Sequence, residues 1–349
     1  MLSSNTNVIQ GRYFHDLMAQ PAALEATLAW LAAADRWRSA REFIRARPWK
    51  RIVLTGMGSS HHALHVLDLA LIEAGMTPIV LETAELVHYG QALCDPETLL
   101  VVVSQSGGSA EILRLIELNR QAPLLAVTNT ADSPLARAAG WSLLTQAGPE
   151  FSVSCKTYVA ALLALQWLAG AFADADEGET LRRLEPAAPL VRECLANWRS
   201  HSAALAVELQ GICHLFLTGR GRSLAAAGTG ALIIKESARF PAEGMSSAAL
   251  RHGPMEMLRA DILTLVFAGD EPTRNLNRSL IRQLRAAGWR CDEIGNESRA
   301  AALRIPTCEP PVRPILEILP VQILTLALAS RDGREAGRFE YASKVTATE

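Results

Sequence analysis

The chain has 349 residues, 49% of them hydrophobic and 20% charged, enough to bury substantial cores and long enough for about two domains. A formal net charge of -2 and a pI near 6.5 argue against nucleic acid or an anionic membrane as a partner, because neither finds a basic field. No apolar stretch approaches the roughly 20 residues that span a bilayer, and the first thirty residues lack a basic start followed by an apolar run and a cleavage site. A cytoplasmic protein is expected.

Residues 1–45 read as an N-terminal helical segment, with MAQPAAL (Met18–Leu24) and two amphipathic helices but no basic helix-turn-helix. The first strand follows in RIVLTGMGSS, Arg51–Ser60. Its T-G-x-G-x-S turn lacks the third glycine of a dinucleotide fingerprint at its usual spacing, so nicotinamide binding is not expected. His61 and His65 stand one helical turn apart with His62 between them, but no carboxylate partner is evident. They read as a polar helix start, and no metal is predicted.

VVVSQSGGSAE, Val101–Glu111, is the most informative stretch. A valine-rich run of this kind is a strand buried on both faces, and EILRLIELNRQ after it has helical spacing. The serines and glycines therefore occupy a strand-to-helix turn, where helix N–H groups, the helix dipole and the hydroxyls of Ser104, Ser106 and Ser109 suit a phosphate. Gly107 and Gly108 let the backbone come close. Ser and Gly are also ordinary turn residues, so the same segment is compatible with a capped loop.

The six cysteines show no C-x-x-C spacing, which indicates neither a zinc knuckle nor a disulfide framework. Cys155, in the polar segment Glu150–Thr157, has no base beside it in the sequence. A connector is expected near Leu190–His201. Then the pattern repeats: HLFLTGRGRS, His214–Ser223, matches the first strand and turn, with Thr55 and Thr218 163 positions apart. Ile262–Leu284 matches the strand and helix around the serine turn, but with Ala268, Gly269 and Asp270 in place of the serines. An aspartate there would repel phosphate, so only the first copy should hold the anion. The alternation of strands and helices predicts an α/β fold of two tandem doubly wound parallel sheets, with ligands at the carboxyl ends of the strands.

These motifs, together with SPLA (Ser133–Ala136), EFSVSCK (Glu150–Lys156), KESARFPAEGMSSAALRHGP (Lys235–Pro254) and the terminal SKVTATE, resemble the sugar isomerase (SIS) domain family, in particular the tandem isomerase half of glucosamine-6-phosphate synthase. The resemblance covers nearly the whole chain. It implies two flavodoxin-like SIS domains, 46–190 binding the phosphosugar and 202–330 carrying a catalytic Glu/His segment, with a tail, 331–349, closing the site. It also implies phosphate contacts at Ser104, Gln105, Ser106 and Ser109, Ser60 near the sugar, and a backbone contact at Val153. The family's catalytic glutamate falls on Glu236, its histidine on His252, and its tail lysine on Lys344. That histidine comes from a neighbouring subunit, so a homodimer or larger homo-oligomer is implied. No cofactor is implied.

The chemistry is intelligible residue by residue. Moving a carbonyl between carbons 1 and 2 of a hexose phosphate requires ring opening and a proton shuttle. Glu236 can take the carbon-bound proton, His252 can serve the ring and leaving-group heteroatoms, and Lys344 can steady negative charge. Departures from the synthase are equally informative. No N-terminal glutaminase domain is expected, Ile233 stands where the synthase has a lysine three residues before the catalytic glutamate, and Thr229 where it has a glutamate further upstream. The expectation is an aldose-ketose isomerase or deaminase type of enzyme, an amino-sugar-phosphate deaminase or fructosamine-6-phosphate deglycase, acting on an amino- or amine-substituted hexose 6-phosphate. The alternative is a non-catalytic phosphosugar sensor.

Overall fold

The computed structural model describes residues 8–119, 121–341 and 343–346. The first seven residues of the expected N-terminal segment and residues 347–349 of the SKVTATE motif lie outside the described residues. The chain divides into two compact units. One comprises Ala22–Glu150, Lys156–Glu185 and the tail from Tyr341; the other comprises the chain up to Pro21, Phe151–Cys155 and Pro186–Glu340.

Each unit is built on one parallel sheet. The first contains β1 (Arg51–Gly56), β2 (Pro78–Glu82), β3 (Thr98–Val103), β4 (Leu124–Thr128) and β5 (Trp141–Leu144), in the order β2-β1-β3-β4-β5. The second contains β6 (His214–Gly219), β7 (Ala242–Ser246), β8 (Ile262–Phe267) and β9 (Arg290–Ile294), in the order β7-β6-β8-β9. The four strands of the second sheet follow the order of the first four of the first, as the internal repeat predicts, and β5 has no counterpart. The central strands β3, TLLVVV, and β8, ILTLVF, are buried at every position, as unbroken apolar runs must be in a sheet covered on both faces. Each such Val, Leu or Ile contributes about 1.5–3 kcal/mol on burial.

The repeat extends to single hydrogen bonds. Thr55, fully buried at the end of β1, donates to Thr83 Oγ1 at 3.1 Å, and Thr218, fully buried at the end of β6, donates to Ser247 Oγ at 3.4 Å. Thr83 and Ser247 each open the helix that follows the second strand of their unit. A buried hydroxyl without a partner costs a full desolvation penalty, so both copies pair it in the same way.

In the first unit the helix Lys156–Phe172 is buried along almost its whole length. Trp167 on it meets Trp37 edge-on, with ring centroids 5.1 Å apart, and stacks with Trp141 at 6.4 Å. In the second unit the helix Arg313–Arg331 packs on the helix Ser223–Ala238. Contrary to the expectation from the sequence, Arg313–Arg331 is, among the described residues, a helix long and apolar enough to cross a membrane, but 94% of its most apolar window is buried inside the fold. It is a core helix here.

Two local departures have physical causes. The helix after the serine turn stops at Leu118 rather than running through Gln121, because Asn119 turns its side chain onto residue 122, accepting from the Ala122 N–H at 3.1 Å and donating to its carbonyl at 2.9 Å. The stretch expected as a connector, 190–201, lies in two helices, Ala187–Ala196 and Trp198–Glu208, which bury Val191, Leu195 and Trp198.

Candidate active site

β1 and β3 are adjacent, with Gly56 opposite Val103, so the turns leaving their carboxyl ends emerge side by side. This is the point where strand order reverses, the place at which doubly wound sheets open a crevice. Ser60 stands in the first turn of the helix Gly58–Ala63, after Gly58 at φ 53°. The second turn is Ser104–Ser109. Ser104, 9% exposed, accepts the Gly107 N–H at 3.1 Å, and Ser106 Oγ accepts the Gly108 N–H at 3.3 Å. Gly107 has φ 61°, and a Cβ on it would lie 2.3 Å from Ser133 Oγ, so no other residue fits this bend without displacement.

The neighbouring loop fastens the turn from outside. The Gln105 carbonyl accepts the Asn129 N–H at 3.1 Å and the Thr128 hydroxyl at 3.3 Å. The Gly107 carbonyl accepts the Leu135 N–H at 3.0 Å, and Ser133 caps that residue's own short helix. Ser109 is the N-cap of the helix Ala110–Leu118, and its hydroxyl makes no capping bond. The hydroxyls of Ser106 and Ser109 and the N–H groups of the helix start are thus gathered on one turn, the arrangement that holds an oxyanion.

The tail belongs to this same unit. The Thr346 carbonyl accepts the Ala110 N–H at 3.0 Å, occupying a donor at the start of that helix. Lys344 Nζ lies 2.6 Å from Glu150 Oε2, whose side chain is wholly buried. Glu150 also accepts the Thr157 N–H at 3.1 Å and the Thr157 hydroxyl at 2.6 Å. A carboxylate at that depth requires such partners. Sequence reasoning quoted Glu150 within EFSVSCK but gave it no role. The available signal was an acid preceding a long apolar helix, where a carboxylate suits the helix N-terminus.

His65 sits in the helix His65–Glu73. Its imidazole is held below the usual histidine range, first by burial and then by the nearby His61. Among the described residues no group of three or more His, Cys, Asp or Glu side chains is placed to hold a metal ion.

In the other unit Glu236 is half-buried near the end of the helix Ser223–Ala238. Ile233, one turn back on it, and Thr229, about two turns back, are fully buried. His252 ends the short helix Ser247–Arg251 and is exposed, its N–H bonded to the Ala249 carbonyl at 2.9 Å. Gly253 follows at φ 135°, which lets the chain turn into Pro254. Val153 is buried in the segment Phe151–Cys155 of this unit, as is Cys155. Ser60, Ser104, Gln105, Ser106, Ser109 and Lys344 therefore belong to one unit, and Val153, Glu236 and His252 to the other.

A cavity of about 630 Å³ lined by Trp49, Arg51, Met76 and Phe172 opens at the amino ends of β1 and β2. It lies at the end of the sheet opposite the serine turn, where doubly wound sheets do not place their ligands.

Comparison with known proteins agrees with this architecture. The SIS domain profile matches residues 47–171 and 208–295. The glutamine–fructose-6-phosphate aminotransferase (isomerizing) of Pyrococcus horikoshii is 30% identical over 302 residues, 83% of this chain and 50% of that protein. The chain thus spans about half the length of the curated relatives it matches. A Silicibacter pomeroyi DSS-3 structure, named as a candidate phosphosugar isomerase, has 26% identity and a TM-score of 0.78, covering 93% of this chain and 99% of that one. The C-terminal domain of the Francisella tularensis glucosamine-fructose-6-phosphate aminotransferase shares the fold, with a TM-score of 0.81 at 20% identity over 94% of this chain and 98% of that one. Two matched SIS stretches on two sheets that share the order of four strands leave one conclusion: the chain belongs to the SIS domain family.

Proposed function

We propose that this chain is a cofactor-independent SIS enzyme acting at carbons 1 and 2 of an amino- or amine-substituted hexose 6-phosphate, as an amino-sugar-phosphate deaminase or isomerase, or a fructosamine-6-phosphate deglycase. The observation that carries the reading is the serine turn at the β1/β3 switch point, Ser104–Ser109. It is fastened from outside by Asn129 and Leu135, while the hydroxyl of its N-cap Ser109 makes no capping bond.

In this reading Ser104, Gln105, Ser106 and Ser109 take the phosphate, Ser60 and the Val153 backbone meet the sugar, and binding energy far from the reacting carbons holds them in register. His252 moves the proton between ring oxygen and the carbon 1 hydroxyl as the ring opens. Glu236 removes the proton from the carbon beside the carbonyl, giving an enediol or enolamine, and returns it to the neighbouring carbon. Lys344, steadied by Glu150, offsets the negative charge that develops. The exposure of His252 supports a homodimer in which it serves a neighbouring copy. The two SIS stretches support domains at 46–190 and 202–330, with 1–45 as the helical segment and 331–349 as the tail that closes the site. A cytoplasmic location accords with a phosphorylated substrate.

The relatives' names support the substrate class, since they include a glutamine–fructose-6-phosphate aminotransferase and, by fold, a Thermotoga maritima glucosamine-6-phosphate deaminase with 16% identity, covering 97% of this chain and 100% of that one at a TM-score of 0.76. An NMR assay that offers glucosamine 6-phosphate, galactosamine 6-phosphate, fructose 6-phosphate and fructoselysine 6-phosphate to wild type and to Glu236→Gln tests the proposal. Conversion of one compound by wild type and not by the variant is expected. Binding without conversion of any of them would favour a phosphosugar sensor.

A further inference from the structure

The cavity of about 630 Å³ at the amino ends of β1 and β2 has no part in the chemistry proposed above. The length of β1, about 20 Å at the usual rise per residue, separates it from the serine turn, so an occupant there is not the substrate. Its volume falls within the roughly 300–1,000 Å³ of small-molecule sites, and every residue of its wall belongs to one unit.

The wall is of two kinds. Ile44, Trp49, Ile52, Met76 and Phe172 make it apolar and in part aromatic. Gly75, at φ 78°, turns the chain out of the helix His65–Glu73 toward β2 and brings Met76 to the wall. The indole N–H of Trp49 donates to the Ile44 carbonyl, which fixes the ring. The remaining charged wall residues are basic: Arg45, Arg47, Lys50 and Arg51 line the cavity, and no acidic side chain does.

The carboxylates that answer these cations stand outside the wall. Asp174 is shared by Arg41 and Arg45, the latter at 2.9 Å. Glu97 lies 3.5 Å from Lys50, and Asp95 pairs with Arg51. Arg47 has no carboxylate partner among the described residues: its Nη1 donates to the Pro96 carbonyl at 3.1 Å, and its guanidinium carbon lies 5.2 Å from the centre of the Trp49 ring. Five cations thus meet three carboxylates around the hollow, a surplus that follows from the ion-pair geometry alone.

An occupant that matches both halves of the wall carries a flat apolar ring and a negative charge. Inorganic phosphate or a hexose phosphate would answer the arginines and leave Trp49, Met76 and Phe172 without a ring to pack on. A nucleotide answers both, with its base against the aromatic and sulfur-bearing wall and its phosphate on Arg47 and Lys50. We propose that this cavity binds a nucleoside phosphate, at a site separate from the serine turn. The proposal does not depend on which reaction the enzyme runs.

Calorimetric titration of the full chain with AMP and with ATP tests this. One nucleotide per chain is expected, both in wild type and in a variant that combines Ser104→Ala with Ser106→Ala. Arg47→Gln should weaken binding about tenfold, as loss of a charged hydrogen-bond donor does. Trp49→Leu should weaken it by a similar factor and Trp49→Phe should largely restore it, because stacking needs a ring. Circular dichroism should be unchanged in each variant. Inorganic phosphate and glucose 6-phosphate should not displace the nucleotide from this site. No binding of either nucleotide at millimolar concentration would overturn the proposal and leave the basic wall as a solvated face. Binding lost in the serine variant, binding indifferent to both Arg47→Gln and Trp49→Leu, or displacement by inorganic phosphate would overturn it equally.

Discussion

The two units share the order of four strands, a T-G-x-G-x-S turn and a buried threonine hydrogen bond, yet the loop after their third strand differs. After β3 the chain spends six residues, three of them serine, before its helix; after β8 it spends three, ending in Asp270. The first loop carries three serine hydroxyls of its own, at Ser104, Ser106 and Ser109. The second has been cut back, and long side chains from other elements, Arg222 and Arg313, reach into the space. Apolar pattern and strand register conserve the scaffold between the copies, while the chemistry that differs is concentrated in a few loop residues.

The largest effect expected from breaking the comparison is chemical. Glu236→Gln should lower kcat by about 10²–10⁴, the range for a lost general base, while leaving phosphosugar binding intact; steady-state kinetics alongside a binding titration checks both halves. Next is the pair of turn glycines. Gly107→Ala should cost about 1–3 kcal/mol of stability and weaken phosphosugar binding, since the new Cβ meets Ser133 as well as a left-handed backbone. Gly269→Ala should cost less, because its nearest neighbour would be 3.1 Å away rather than 2.3 Å. Thermal unfolding of the two variants ranks them.

A smaller effect concerns pH. Glu317 has its folded-state carboxyl raised to about 8 from an ordinary value of 4.5. The native state therefore holds this proton more tightly than the unfolded chain. Its contribution is fully present below about pH 4.5 and is lost as pH rises toward and through 8. Glu317→Gln should flatten that decline in the melting temperature between pH 6 and 9, and an unchanged slope would mean the carboxyl is not the group responsible.

Much of this was legible in the sequence, for local reasons. β3 and β8 are continuous apolar runs, the serine turn sits where a strand pattern gives way to a helical one, and the repeat of Thr55 in Thr218 announces the duplication. Other features were not legible, because they join residues far apart in the chain. Lys344 and Glu150 are 194 positions apart, and neither residue announces the other. Likewise Asp270 alone suggests repulsion of phosphate, and only the fold brings Arg313 beneath it. The expected connector at 190–201 is itself helical, with Val191, Leu195 and Trp198 at helical spacing.

The central claim is that the serine turn binds the phosphate and Glu236 does the chemistry. The most direct test measures kcat and KM separately for Ser106→Ala and Glu236→Gln on whichever phosphosugar the wild type converts. The account predicts a KM raised about tenfold by Ser106→Ala with kcat nearly unchanged, and a kcat collapse in Glu236→Gln with substrate affinity retained. Wild-type turnover by Glu236→Gln, or a Ser106→Ala enzyme with both constants unaltered, would contradict it.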